Sequence, residues 1–226
     1  MPIPRSSSER RAALLDILAT KSFRLGDFVL ASGQRSDYYI DCRITTLDAE
    51  GGRLTGLVLY EMIRQFMPQA EAVGGLTMGA DPVVANVASA SAWHAAGAFV
   101  VETMDEAQHT PSLLHGFLVR KAAKAHGTGR RIEGFLRRGA SVVIVDDVCT
   151  TGGSTLDAID AAQQEEMIVK GVVCLVDREQ GGRAKIEQAL HIGGHAAPFV
   201  AAYTASQVRQ AHELHHIPLP NHGDLG

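Results

Sequence analysis

Apolar and polar positions along this 226-residue chain change period several times. Ser6-x-x-Glu9 stands before an amphipathic stretch from Ala12 to Ala19, and such a capping box predicts an opening helix. Between Phe23 and Arg43 the period falls to two, in Phe28-Val29-Leu30 and Tyr38-Tyr39-Ile40, with Ser32-Gly33-Gln34-Arg35-Ser36 between them. That spacing predicts a hairpin or small hood beside the main sheet. Leu47 to Phe66 returns to helical spacing, weakened at Gly51-Gly52 and ended by Pro68. The remainder alternates. Strands are predicted over Ala72–Leu76, Ala98–Glu102, Phe117–Arg120, Ser141–Val145, Gly171–Val176 and Phe199–Tyr203. Helices are predicted over Pro82–Ala96, Thr155–Met167, Arg183–Leu190 and Ser206–Leu214, with a frayed tail after them. Such alternation calls for an α/β fold with a mostly parallel central sheet flanked by helices. Ligands of such sheets sit at the carboxyl ends of the strands.

Composition narrows the class. With 46% hydrophobic residues the chain can bury a full core as one domain, and its formal charge of −4 argues against a generic nucleic-acid or membrane surface. Cys42, Cys149 and Cys174 lie far apart and form no C-x-x-C pair, which suggests neither a disulfide framework nor a zinc site and fits a reducing cytoplasm. No apolar run approaches the ~18 residues of a membrane span.

Chemistry concentrates in Ser141-Val142-Val143-Ile144-Val145-Asp146-Asp147-Val148-Cys149-Thr150-Thr151-Gly152-Gly153-Ser154-Thr155. An apolar strand is followed by two carboxylates, a turn rich in hydroxyls and glycines, and a helix. Unpaired N–H groups and the helix dipole favour a phosphate at such a turn, and glycine lets the backbone approach the anion. Asp146 and Asp147 would repel a phosphate. They suit sugar hydroxyls or a hydrated magnesium ion instead. Phosphate, sugar and metal together suggest a phosphorylated ribose. The lysine of a Gly-x-x-x-x-Gly-Lys-Ser/Thr loop is missing, and no Gly-x-Gly-x-x-Gly opens a first strand–helix turn.

Two further segments bear on function. Arg120-Lys121-Ala122-Ala123-Lys124-Ala125-His126-Gly127-Thr128-Gly129-Arg130-Arg131 is the most cationic stretch of an acidic chain, and it starts at the end of an apolar strand. Taken alone, a charge run is a solvated loop. Flanking glycines make it able to close over a leaving pyrophosphate and neutralise it. Gly74-Gly75-Leu76-Thr77-Met78-Gly79-Ala80-Asp81-Pro82 could hold pyrophosphate through backbone amides, or could simply be a tight turn into a helix. The spacings His191–His195 and His212–His215–His216 could ligate a transition metal, but with no carboxylate partner they read as structural or surface histidines.

The Asp-Asp-Val-Cys-Thr-Thr-Gly-Gly-Ser run resembles the phosphoribosyl pyrophosphate signature of the type I phosphoribosyltransferases. With Phe28-Val29-Leu30-Ala31-Ser32-Gly33-Gln34-Arg35-Ser36-Asp37-Tyr38-Tyr39-Ile40-Asp41 and the basic loop, roughly residues 20 to 180 resemble the orotate phosphoribosyltransferase family. The resemblance implies the type I fold over one domain, 1–226: N-terminal helix and hood to 45, α/β core 46–205, C-terminal helix and tail 206–226. It implies a magnesium-dependent transfer of phosphoribosyl from phosphoribosyl pyrophosphate to orotate, in a homodimer whose subunits share the mobile loop. The donor would be held by Asp146, Asp147, Val148, Cys149, Thr150, Thr151, Gly152, Gly153 and Ser154. Arg120, Lys124 and His126 would contact pyrophosphate, with Lys121 reaching the neighbouring subunit's site, and these four would carry catalysis. Magnesium would arrive on the donor, near Asp147, without direct protein ligands. Orotate would lie between Tyr39, Ile40, Thr150 and Arg178, whose guanidinium fork suits the carboxylate that distinguishes orotate from uracil.

Two departures stand out. Many members of the family carry a lysine where this chain has Ala31, and some carry Tyr-Lys where it has Met78-Gly79. Backbone amides of the 75–80 turn, or Arg35, are left to substitute. Two rival readings remain: a transferase for another base, and a non-catalytic regulator of the same fold that binds the donor.

Overall fold

The computed structural model describes residues 6–29, 33, 35–99, 113–122, 130–191 and 197–215. Helix α1 (Ser7–Ile17) opens on the predicted box: the Glu9 N–H donates to Ser6 Oγ and the Ser6 N–H to Glu9 Oε2, each at 3.1 Å. One π-helical turn, Leu18–Ser22, leads into an antiparallel pair, β1 (Phe23–Val29) and β2 (Arg35–Ile40). This is the predicted hood. A short helix α2 (Arg43–Thr46) follows, unforeseen because one helical turn carries no periodicity. Helix α3 (Ala49–Phe66) is capped by Asp48, whose side chain accepts from the Gly51 N–H. Gly51 and Gly52 let α2 and α3 approach closely here: a Cβ at Gly51 would stand 2.4 Å from the Thr45 carbonyl oxygen.

The main sheet has six strands in the order β5-β4-β3-β6-β7-β8. They are β3 (Ala72–Leu76), β4 (His115–Val119), β5 (Ile132–Gly134), β6 (Ser141–Cys149), β7 (Ile168–Asp177) and β8 (Phe199–Thr204). All neighbours run parallel except the edge strand β5. Helices α4 (Ala80–Ala95), α5 (Gly153–Gln164), α6 (Gly182–Leu190) and α7 (Ala205–His215) alternate with the strands. Successive side chains of a strand point to opposite faces. Val143, Val145, Val173 and Leu175 therefore pack with α1, α3, α4 and α7. Val142, Ile144, Val172 and Cys174 pack with α5 and α6. Both faces are covered, which is why these strands read as unbroken apolar runs.

Several boundaries differ from the sequence reading. Strand β6 runs on through Asp146 and Asp147 to Cys149, because β7 pairs with it as far as Cys149–Asp177. Helix α4 begins at Ala80, so Pro82 is its third residue, where the missing N–H is still one the helix leaves unpaired. Strand β5 was not predicted. Ala98 and Phe99 form bends rather than strand, and 100–102 lie outside the described residues.

Candidate active site

The strand order creates the opening. From β3 the chain passes through α4 to β4 on one side, and from β6 through α5 to β7 on the other. Helices α4 and α5 pack on opposite faces, so the carboxyl ends of β3 and β6 diverge at a switch point, where such sheets bind ligands. Register between β3 and β6 ends at Gly74–Ile144, while β6 continues for five more residues. A cleft of about 910 Å³ lies there, bordered by the Leu76–Gly79 turn, the Asp146–Asp147 pair, Thr150, Ser154 and Arg178.

The two acids differ in setting. Asp146 is buried, and Thr155 on the first turns of α5 donates to its Oδ2 at 2.7 Å. The Asp147 N–H donates to Asp146 Oδ1 at 3.0 Å. Asp147 is less enclosed, and its Oδ1 accepts from the Val148 N–H at 2.9 Å. Burial, then the neighbouring Asp147 charge, raises the Asp146 carboxyl well above the usual carboxylate range. Burial also raises Asp147. In the free protein the pair thus ionises less readily than ordinary aspartates, and a ligand that donates hydrogen bonds or brings positive charge favours its ionised form.

Helix α5 starts where the signature predicts an anion. Gly152 takes the left-handed conformation (φ 82°) as its N-cap, and no side chain caps the first N–H groups. The turn is supported from below by α6, a feature the sequence reading missed. The Gly182 N–H donates to the Thr150 carbonyl at 3.2 Å, and a Cβ at Gly182 would meet Cys149 Sγ and the Thr150 oxygen, both at 2.7 Å. The signal was available in Gly181-Gly182 just past β7.

Arg178 follows β7 and is buried. Its N–H donates to the Cys149 carbonyl at 2.8 Å, its guanidinium lies 4.8 Å from the Tyr38 ring centre, and Nη2 approaches Ser36 Oγ at 3.5 Å. Its Nε is buried with no partner. A buried cation with donor capacity unspent faces a cleft that also contains Tyr39, Ile40 and Thr150. The structure therefore brings together the hood, Arg178 and the signature, as the sequence reading required.

The basic loop is described only at its ends. Arg120 and Lys121 are exposed and line this cleft, and Arg120 stands 3.6 Å from Glu133. Lys124 and His126 lie outside the described residues, as do Ala31 and Gln34. Arg35 does not take the place left open for it: it is exposed and paired with Asp27 at the far end of the hood. The cleft cation that sequence reasoning missed is Arg43, carried by α2 and paired with Asp41. Gly79 is spoken for as well, since a Cβ there would lie 2.4 Å from Asp147 Oδ1.

Histidines away from the cleft have ordinary partners. His212 Nδ1 donates to the Ala19 carbonyl, His191 Nδ1 to that of Glu187, and His215 pairs with Asp16. Among the described residues no His/Cys/Asp/Glu cluster suited to a metal occurs, and no helix is long and apolar enough to cross a membrane. His195 and His216 lie outside the described residues.

The comparisons with known proteins agree with this geometry. The chain is 40% identical over 198 residues to an orotate phosphoribosyltransferase of Streptomyces avermitilis, covering 88% of this chain and 96% of that one. The chain belongs to the orotate phosphoribosyltransferase family. No protein-family model matches it. Among solved structures, the Mycobacterium tuberculosis orotate phosphoribosyltransferase in complex with Fe(III) dicitrate superimposes with a TM-score of 0.68 at 31% identity, covering 88% of this chain and 98% of the other. The same enzyme in complex with 5-phospho-α-D-ribosyl 1-diphosphate gives 0.62 at 26% identity, covering 88% and 91%. Membership of the family agrees with a type I phosphoribosyltransferase fold and a pentosyltransferase activity.

Proposed function

We propose that this chain transfers the phosphoribosyl group of phosphoribosyl pyrophosphate to orotate, giving orotidine 5′-phosphate and pyrophosphate for pyrimidine synthesis. The observation that carries the choice of base is Arg178: buried, stacked on Tyr38, with Nε unpartnered, in the same cleft as the signature. A planar guanidinium fork reads a carboxylate in two directions, and an unsatisfied buried cation favours an anionic partner.

Each segment then has a role. Backbone N–H groups from Thr150 to Ser154 bind the 5′-phosphate at the amino end of α5. Asp146 and Asp147 accept from the ribose hydroxyls, with Val148 and Cys149 setting the strand end from which they project. Orotate stacks between the hood backbone at Tyr39–Ile40 and Thr150, with its carboxylate on Arg178. The orotate ring nitrogen is already acidic, so no strong protein base is needed. Arg120, Lys121, Lys124 and His126 neutralise the pyrophosphate as the ribose gains oxocarbenium character, a task of positioning and electrostatics. In this reading His126 protonates a pyrophosphate oxygen.

Magnesium fits as a passenger of the donor. Of the cleft's carboxylates Asp146 is tied to Thr155 and Asp41 to Arg43, which leaves Asp147 with too few oxygens for a protein cage, and Mg²⁺ keeps several waters and binds phosphates readily. Bound there, it would supply Lewis-acid stabilisation of the leaving diphosphate. We also propose one catalytic domain across 1–226, a cytoplasmic setting in keeping with the free thiols of Cys42, Cys149 and Cys174, and a homodimer in which Lys121 serves the partner's site. In the single chain Lys121 borders its own cleft.

The deciding experiment mixes the full chain with magnesium, phosphoribosyl pyrophosphate and orotate, and follows loss of orotate absorbance. Consumption of orotate, with release of pyrophosphate in equal amount, is the expected result. Folded protein that binds the donor but consumes no base would favour a regulator.

A further inference from the structure

The cleft's expected occupant is polyanionic, yet its floor is acidic. Asp146 and Asp147 project from β6, and Asp147 fills the space beside Gly79 on the Leu76–Gly79 turn. That turn contributes no cationic side chain. The other described cations of the cleft are committed elsewhere or belong to the basic loop. Arg178 stacks on Tyr38 toward the base side, Arg120 approaches Glu133, and Lys121 extends from the end of β4.

Arg43 is built differently. Its helix α2 is anchored in the core: Cys42, Thr45 and Thr46 are buried, Ser22 and Thr45 share a hydroxyl hydrogen bond of 2.7 Å, and Asn86 donates to the Thr46 carbonyl at 2.9 Å. Asp41 grips one edge of the guanidinium, accepting from Nε at 2.9 Å and from Nη2 at 2.8 Å, and also accepts from the Arg43 N–H. Nη1 is left for another acceptor. The side chain is 46% exposed and borders the cleft. Asp41 above all, and more weakly Tyr39 and Asp147, hold the guanidinium in its charged form.

We propose that Arg43 is a further donor-binding residue, contacting the diphosphate of phosphoribosyl pyrophosphate on the side of the cleft formed by the Met78–Gly79 turn and Asp147. Asp41 is its positioning residue: it presets the fork so that little side-chain freedom is lost when phosphate oxygens arrive. Unlike Arg120 and Lys121 at the end of β4, Arg43 is carried by a helix anchored in the chain's own core. The inference rests on the phosphoribosyl-transfer reading above and deepens it.

The test titrates inorganic pyrophosphate with magnesium into the full chain and into Arg43→Gln by calorimetry. Loss of one charge-assisted contact should weaken pyrophosphate binding by about tenfold or more, roughly 1.4 kcal/mol or above. The KM for phosphoribosyl pyrophosphate should rise in parallel while the KM for orotate and the melting temperature stay unchanged. Pyrophosphate binding at the unsubstituted level, or a rise confined to the orotate KM, overturns the assignment. Should Arg43→Gln lose its melting transition, Arg43→Lys is read in the same way. It keeps the charge but not the fork, so a loss of about threefold is expected, and undiminished binding overturns the proposal. Failure of the unsubstituted chain to consume orotate would count against the reaction, whereas the pyrophosphate titration still reports on Arg43.

Discussion

In the stretch from Asp146 to Ser154, strand β6 lies inside the sheet, with β7 alongside to its end, α5 growing directly from it and α6 packed beneath the turn. The hood is a two-stranded ribbon, buried at Phe23 and Ile40 but largely exposed between them. It is tied down by a Phe23–Tyr38 ring stack at 5.4 Å, by Arg209 on Asp37 at 2.7 Å, and by Arg178 under Tyr38. A ribbon of two strands is marginal by itself, so the hood opens more readily than the signature. Under the proposed function, the ribose and phosphate fall to the enclosed floor and the base to the more exposed roof. A base must enter and a nucleotide must leave, while the point of reaction has to stay fixed.

The largest test of this division is Arg178→Ala. Truncating one partner of a buried charge pair costs about 2–5 kcal/mol, so kcat/KM with orotate should fall by roughly 10³. Activity on a carboxylate-free base should change far less, and an equal loss on both bases would sink the role given to Arg178. Next comes the floor. Gly182→Val would drive a side chain into Cys149 Sγ and the Thr150 carbonyl. A loss of about 2–3 kcal/mol in unfolding free energy, with weaker phosphate binding, is expected. Near-normal stability would mean that α6 does not support the turn.

The third prediction concerns pH. Asp146 has a raised folded pKa, so between its unfolded and folded values only the folded chain keeps the proton. Stability of the free protein is therefore greatest below the ordinary aspartate pKa of about 4 with respect to this group, and falls as pH rises through the folded value. Asp146→Asn should flatten that decline, gaining on the order of 1–2 kcal/mol at pH 8 while losing donor affinity. An unchanged slope of melting temperature against pH would show that Asp146 ionises normally. Smaller still, Thr155→Val removes the hydroxyl that serves Asp146, at about 1 kcal/mol. At the roof, Tyr39→Ala should shift stability by less than about 0.5 kcal/mol, since its ring is exposed. A large loss there would erase the contrast between floor and roof.

How far the sequence foretold this molecule depends on the range of each interaction. Local rules sufficed for the α1 capping box, for β3 at Ala72–Leu76, and for the hairpin around Gly33, since each is written in adjacent residues. Arg178 came from the family resemblance, with which the chemistry of a guanidinium fork agrees, and the fold brings it to the cleft. Other features depend on partners distant in the chain. Asp146 and Asp147 looked like the end of a strand, yet pairing with β7 carries the strand past them and Thr155 satisfies the buried acid. Strand β5 is three residues long and exists by pairing with β4 after a basic run that reads as loop. Arg43 belongs to no motif, and only the folding of α2 against the core brings it to the cleft. Arg35, nearer the recognised hood residues, pairs instead with Asp27.

The Arg178 N–H bond to the Cys149 carbonyl joins the ends of β6 and β7. In the proposed reaction one substrate is referenced to Asp146 on the first strand and the other to Arg178 after the second. Neighbouring strands keep a spacing of about 4.8 Å set by their peptide hydrogen bonds. The gap that the ring nitrogen must cross to the anomeric carbon is thus gauged by the backbone itself. Changes in hood or loop can alter how long the substrates stay, but the ruler that measures their separation is cut into the sheet.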